Sequence, residues 1–169
     1  MTSKLNDQNN SAHVYSEEDL RQALELLFFS YRDFTGEADA ILADFGFGRA
    51  HHRVIYFVQR NPSISVNNLL RILKITKQSL SRVLSQLVRE GFIEQKTDAQ
   101  DRRRRTLLLT PKGEDLETRL TKCQGDRIAR AYEASGDEAV RGFKKVLGEI
   151  INEDDRRLYT GGSPHTDEL

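Results

Sequence analysis

The clearest pattern in the chain lies between Thr76 and Glu90 (TKQSLSRVLSQLVRE), where Leu80, Val83, Leu84, Leu87 and Val88 recur at helical spacing. At about 100° per residue the opposite stripe is Gln78, Arg82, Ser85 and Arg89, with Ser81 beside it and no acid before Glu90. Upstream, Ser16 with Glu17 and Glu18 behind it predicts a helix start. Apolar positions then run through Leu20, Leu24, Leu27, Phe28, Tyr31, Phe34, Ala38, Ile41, Leu42 and Phe45. This predicts one long helix ending at Gly46 and Gly48, with an apolar face wide enough to meet a helix of a second chain as well as its own core. The stretch Arg49 to Arg60 predicts a second helix that stops before Asn61-Pro62.

The spacing next predicts a short helix over Val66 to Ile72 capped by Ser65, a turn at Leu73-Lys74-Ile75, and the Thr76-capped helix closed by Gly91. Two strands follow, Phe92 to Lys96 and Thr106 to Leu109, joined by a polar tip. Thr110 and Pro111 open another helix towards Ser135, with Leu116, Leu120, Cys123, Ile128, Ala131 and Tyr132 on one side and Gly125 as a candidate bend. A last helix is expected from Asp137 to Leu158, carrying Val140, Phe143, Val146, Leu147, Ile150 and Ile151. Residues 1–15 and 160–169 are polar and expected to be disordered and mobile, respectively. The fold class is therefore mainly α with a small β-wing. Its expected divisions are residues 16–48, a winged helix-turn-helix over 49–110, and residues 111–159.

Charge changes the picture by its distribution. The formal net charge is zero, yet Arg71 to Arg105 holds ten basic residues against four acidic ones. A localised anion-binding face on an otherwise acidic chain is the consequence. A buried apolar stripe backed by Gln, Ser and Arg suits a helix in the DNA major groove. Arginine pairs with guanine, glutamine with adenine, and serine lets the backbone approach. Gln78, Ser81, Arg82 and Ser85 are the candidate base contacts. Thr76, Lys77 and Arg89 sit at positions suited to phosphate contact or to helix-end electrostatics, with Arg89 also able to pair with Glu90 or Glu94, and Ser79 is a further DNA-binding candidate of this helix. In the wing the candidates are Arg102, Arg103, Arg104 and Arg105, some of which could pair instead with Asp98 or Asp101. Asn67 and Asn68 open the preceding helix, where capping and phosphate contact are equally open.

Ile64-Ser65, Leu69-Leu70, Leu73, Ile75, the TKQSLSRVLSQLVREGFIE run, the wing Asp98-Ala-Gln-Asp-Arg-Arg and the following Leu109-Thr-Pro-Lys-Gly113 together resemble the MarR family of bacterial transcription regulators. The resemblance implies a homodimer built by the N- and C-terminal helices, with two winged lobes reading a near-palindromic double-stranded operator. Wing arginines would reach the flanking minor groove. Repression is the implied mode, with release by a small aromatic or phenolic ligand. Tyr31, Phe34, His52 and Tyr56 are candidates to line its pocket, and equally candidates for core. Two departures stand out. Lys74 occupies a turn position where the family often has Gly, so the turn is expected to differ slightly, and the wing has four successive arginines. The competing reading is an architectural or partner-docking winged helix with weak sequence preference and no ligand sensing.

Other chemistry is sparse. No phosphate loop, metal-ligand cluster or nucleophilic triad is evident, so neither catalysis nor a cofactor or metal is expected. Cys123 lies on the Leu116–Leu120 stripe, where a small apolar residue is at home, and no neighbouring His supports a thiolate. His51 and His52 are neighbours that point apart on a helix and cannot share one metal there. No long apolar run predicts a membrane span, and the N-terminus lacks the apolar core of a signal peptide. A cytoplasmic location is the expectation.

Overall fold

The computed structural model describes residues 15–97, 105–156 and 158. Contacts divide the chain into two units, before and after the Asp33–Phe34 bond. In the first unit Ser16 opens helix α1 (Glu17–Ala43) as predicted. Its hydroxyl accepts the Asp19 N–H at 3.1 Å, and the Asp19 carboxylate accepts the Ser16 N–H at 3.0 Å. This reciprocal cap satisfies two otherwise orphaned donors. Up to Asp33 the helix buries nothing. Leu20, Leu24, Leu26, Leu27, Phe28, Phe29 and Tyr31 are all exposed.

The second unit holds the core. Its elements after α1 are α2 (Arg49–Arg60), β1 (Ile64–Ser65), α3 (Val66–Leu73), α4 (Lys77–Arg89), β2 (Ile93–Thr97), β3 (Arg105–Leu109), α5 (Pro111–Ile150) and α6 (Glu153–Arg156). The predicted caps form. Ser65 accepts from the Asn68 N–H, Thr76 from Ser79 and Thr110 from Gly113. Helix α2 lies at the centre, packed against α5, α4 and β3. Val54, Ile55 and Val58 are its buried residues. They meet Leu69 of α3, Leu80, Val83, Leu84 and Leu87 of α4, and Leu116 and Leu120 of α5 in one apolar cluster. The periodicity that predicts α4 is thus the set of residues it buries, with Val88 at the margin.

The wing hairpin pairs antiparallel, Ile93 opposite Leu109 through Thr97 opposite Arg105. A third strand, not predicted, completes the sheet in the order β1-β3-β2, with Ile64 opposite Leu107. Two residues carry no periodicity. Ser63 sets up the pairing by donating its N–H to the Leu107 carbonyl from a positive-φ turn.

Four expectations need correction. The turn before α4 keeps a left-handed residue despite lacking Gly, since Lys74 adopts φ 49°, ψ 42°. That geometry costs an L-residue about 1–2 kcal/mol, and the Lys74 ammonium meets Asp155 at 2.6 Å in an exposed pair of little energetic weight. Gly125 stays helical instead of marking a bend, while the break falls at Gly136, where φ is 78°, between Ser135 and Asp137 as the sequence predicts. The last long helix stops at Ile150, because Ile151 is extended, and α6 is a separate turn rather than its continuation to Leu158. The first helix ends at Ala43, two residues before Phe45.

Candidate nucleic-acid interface

Burial of Leu80, Val83, Leu84 and Leu87 fixes the rotation of α4 and turns the opposite stripe outward. Thr76, Lys77, Gln78, Ser79, Ser81, Arg82, Ser85 and Arg89 are all exposed. Lys77, Gln78, Ser81, Arg82 and Ser85 line one open surface hollow. None of these five side chains is hydrogen-bonded or ion-paired to another described residue. The Thr76 hydroxyl is committed, accepting the Ser79 N–H at 3.1 Å and donating to the Ser79 hydroxyl at 2.9 Å. Arg89 reaches Glu90 at 3.5 Å, an exposed pair of little energetic weight.

Three elements hold this helix. At its C-terminus Gly91, at φ 76°, lets the Phe92 N–H reach the Leu87 carbonyl and the Gly91 N–H reach Val88, closing a left-handed cap. Beyond that cap the Glu90 carbonyl accepts from the Lys112 ammonium at 2.9 Å, and the Gly91 carbonyl accepts from the Thr110 hydroxyl at 2.6 Å. The Phe92 carbonyl accepts the Thr110 N–H at 3.0 Å. On its flank Gln86 meets His51 of α2 at 3.0 Å. His51 Nδ1 accepts the Gly48 N–H at 3.1 Å, so the ring proton sits on Nε2 and is donated to the Gln86 carbonyl oxygen. The imidazole also stacks on Phe47 at 4.6 Å and 9°. The sequence places His51 on a helix start but offers no signal for this tie, or for Lys112.

On the wing hairpin Arg105, at its tip-side end, donates to Gln95 at 3.3 Å, and Lys96 pairs with Glu94 at 2.8 Å. Arg102, Arg103, Arg104, Asp98 and Asp101 lie outside the described residues. On α3, Asn68 supplies a capping N–H and Asn67 is exposed.

The residues expected to line a ligand pocket are dispersed in character. Tyr31 is exposed and belongs to the first unit. In the second, Phe34 is half-buried, with its carbonyl accepting from Gln124 at 3.3 Å. Tyr56 stands edge-on to Phe57 at the surface. Burial pushes His52 below the ordinary histidine range, against the attraction of Asp39 and then Glu117 and with help from Arg53. Glu117 is itself buried, and accepts from Thr121 at 2.5 Å. Cys123 is half-buried and donates to the Leu120 carbonyl at 3.1 Å. Burial, then the Glu37 carboxylate, raises its thiol pKa above the usual value. Among the described residues no group of three His, Cys, Asp or Glu side chains is placed to hold a metal ion. Among them, too, no helix is long and apolar enough to cross a membrane.

Known proteins carry the same arrangement. The MarR family model matches residues 45–104. The chain is 44% identical over 144 residues to the HTH-type transcriptional regulator PetP of Rhodobacter capsulatus, covering 85% of this chain and 87% of the relative. It is 22% identical over 131 residues to the HTH-type transcriptional repressor YetL of Bacillus subtilis, covering 74% and 78%. In three dimensions it resembles Streptococcus pneumoniae FabT, solved in complex with DNA, at a TM-score of 0.71 and 19% identity over 78% of this chain and 94% of FabT. An exposed helix of Lys, Gln, Ser and Arg beside a three-stranded wing and a near full-length relative at this identity lead to one conclusion: the chain belongs to the MarR family of DNA-binding, helix-turn-helix transcription regulators.

Proposed function

We propose that the protein is a homodimeric repressor of a near-palindromic operator. The observation that carries this reading is the acid-free outer face of α4, whose Lys77, Gln78, Ser81, Arg82 and Ser85 side chains are uncommitted among the described residues. Gln78, Ser81, Arg82 and Ser85 read base edges, Arg82 favouring guanine and Gln78 adenine. Thr76, Lys77, Ser79 and Arg89 orient the helix on phosphate. Arg102, Arg103, Arg104 and Arg105 enter the flanking minor groove, where A·T-rich sequence is narrow and most negative.

Dimerisation is supported by large apolar side chains left in water on two helices. These are Leu20, Leu24, Leu27 and Phe28 on α1, and Phe143, Val146 and Ile150 on α5. Each is only 43–67% exposed, so covering the rest would gain roughly half of the 1.5–3 kcal/mol of a full burial, and a second copy of the chain is the cover we assign. Two lobes roughly 34–36 Å apart would read half-sites one helical turn apart. Release by a small aromatic or phenolic ligand is part of the proposal, with Phe34, His52 and Tyr56 as candidate contacts. Such a ligand acts only by binding the DNA-incompatible geometry more tightly.

The test is selection of genomic fragments by the purified protein at about 150 mM salt, where non-specific binding is weak, with sedimentation to give the oligomeric state. A shared inverted repeat bound by a dimer is expected. Sequence-random recovery would overturn the operator reading in favour of an architectural DNA-binding role.

A further inference from the structure

We propose that Lys112 is a positioning residue for the base-reading face. Its ammonium closes the C-terminal end of α4 and couples that helix to α5. The inference deepens the operator reading above and rests on it for its DNA-binding half.

A helix leaves its last carbonyls without intrahelical donors and carries partial negative charge at that end. Here Leu87 and Val88 are satisfied by the glycine cap, and the Glu90, Gly91 and Phe92 carbonyls follow it. All three are taken by the first turn of α5: Glu90 by the Lys112 ammonium, Gly91 by the Thr110 hydroxyl and Phe92 by the Thr110 N–H. The same ammonium stands 4.1 Å from the centre of the Phe92 ring, a cation–π contact with a side chain that is only 1% exposed.

Phe92 in turn meets Phe47 edge-on at 5.1 Å, and Phe47 stacks on His51, the residue that holds Gln86 on the flank of α4. Lys112 therefore anchors one end of a contiguous set of contacts around the C-terminal half of the reading helix. Its cation is spent inward on a carbonyl and a ring. A lysine serving DNA phosphate would instead add its charge to the salt dependence of binding.

That difference sets the experiment. Lys112→Met keeps the stem and removes the charge, and Lys112→Arg restores a cation. Hydrogen exchange on the free full-length protein is read at Glu90, Gly91 and Phe92, together with operator and random-DNA affinities across a salt series. The expected result for Lys112→Met is roughly three- to tenfold faster exchange at those amides, the scale of losing the net contribution of one hydrogen bond. Preference for operator over random DNA should fall by a similar factor while the salt slope is unchanged, and Lys112→Arg should recover most of both. Unchanged exchange overturns the clamp. Equal weakening on both DNAs, with a slope reduced by about one, overturns positioning and makes Lys112 a phosphate contact. A wild-type protein with no preference to lose overturns the operator reading itself, and the exchange result then decides the clamp alone.

Discussion

His51 and Gln86, thirty-five residues apart, are joined at 3.0 Å, and this bond ties the N-terminus of α2 to the C-terminal half of the reading helix. The imidazole serves both partners in one tautomer, accepting from the Gly48 N–H and donating to Gln86. Its replacement leaves a helix-start N–H and a half-buried amide oxygen without partners. His51→Ala should therefore lower stability by about 0.5–1.5 kcal/mol, read as an earlier urea midpoint with an unchanged slope. An unaltered midpoint would show that the tie carries no weight.

The outer face of α4 and the wing should separate by what they sense. Arg82→Ala is expected to cost about 1–3 kcal/mol at the operator and to relax one position of the selected site. Arg104→Ala should leave the half-site bases as selective as before, weaken binding most at A·T-rich flanks and reduce the salt slope by about one. Fragment selection repeated with each variant distinguishes the two. Identical effects of both would remove the division of labour between helix and wing.

Gly113 is required by space. A Cβ there would stand 2.1 Å from the Phe92 carbonyl oxygen, which is backbone and already bonded to Thr110. Gly113→Ala must push α5 away from the end of α4 and should cost about 1–3 kcal/mol or more, as overpacking does. Thermal unfolding checks this. Gly125→Ala is the control, since nothing lies within 4 Å of the added atom and the residue is helical. That variant should be neutral or slightly stabilising.

Stability should fall on mild acidification in a way traceable to His52. Burial lowers its folded-state pKa beneath the ordinary 6.5, so the folded protein favours the neutral ring. The contribution is fully present above that value. It is lost as pH falls through 6.5 towards the folded pKa, because the unfolded chain binds the proton first. Melting temperatures between pH 8 and pH 5 should decline less steeply for His52→Gln than for the wild type. Parallel curves would assign the acid sensitivity elsewhere.

Cys123 should be a poor redox sensor. With its thiol pKa raised by burial and by Glu37, the reactive thiolate is scarcer at neutral pH than in a free cysteine. Alkylation of the native protein should be slower than that of the unfolded chain. Peroxide at concentrations that spare methionine should leave DNA binding intact in both wild type and Cys123→Ala. Loss of binding in the wild type alone would contradict this.

Much of this architecture is local, and local physics is legible in a sequence. The apolar spacing of Leu80, Val83, Leu84 and Leu87 already determines which side of α4 faces the core, and hence that Gln78, Arg82 and Ser85 face outward. Ser16, Ser65, Thr76 and Thr110 announce helix starts because a cap needs only its own side chain and an N–H three residues on. The second helix is bounded by Gly48 and Asn61-Pro62, where glycine and the residue before proline locally disfavour helix. What tertiary structure decided are the features whose partners are distant in the chain. Strand β1 exists because Leu107 lies opposite Ile64. Gly125 stays helical although glycine there offers a bend, whereas the break at Gly136 was already legible between Ser135 and Asp137. Lys74 holds a left-handed turn without glycine, and Lys112 and His51 grip α4 from two other helices. Periodicity records how a segment meets an apolar environment, but it does not say which polar group will stand across from it. Only the packed fold brings those groups within hydrogen-bond reach.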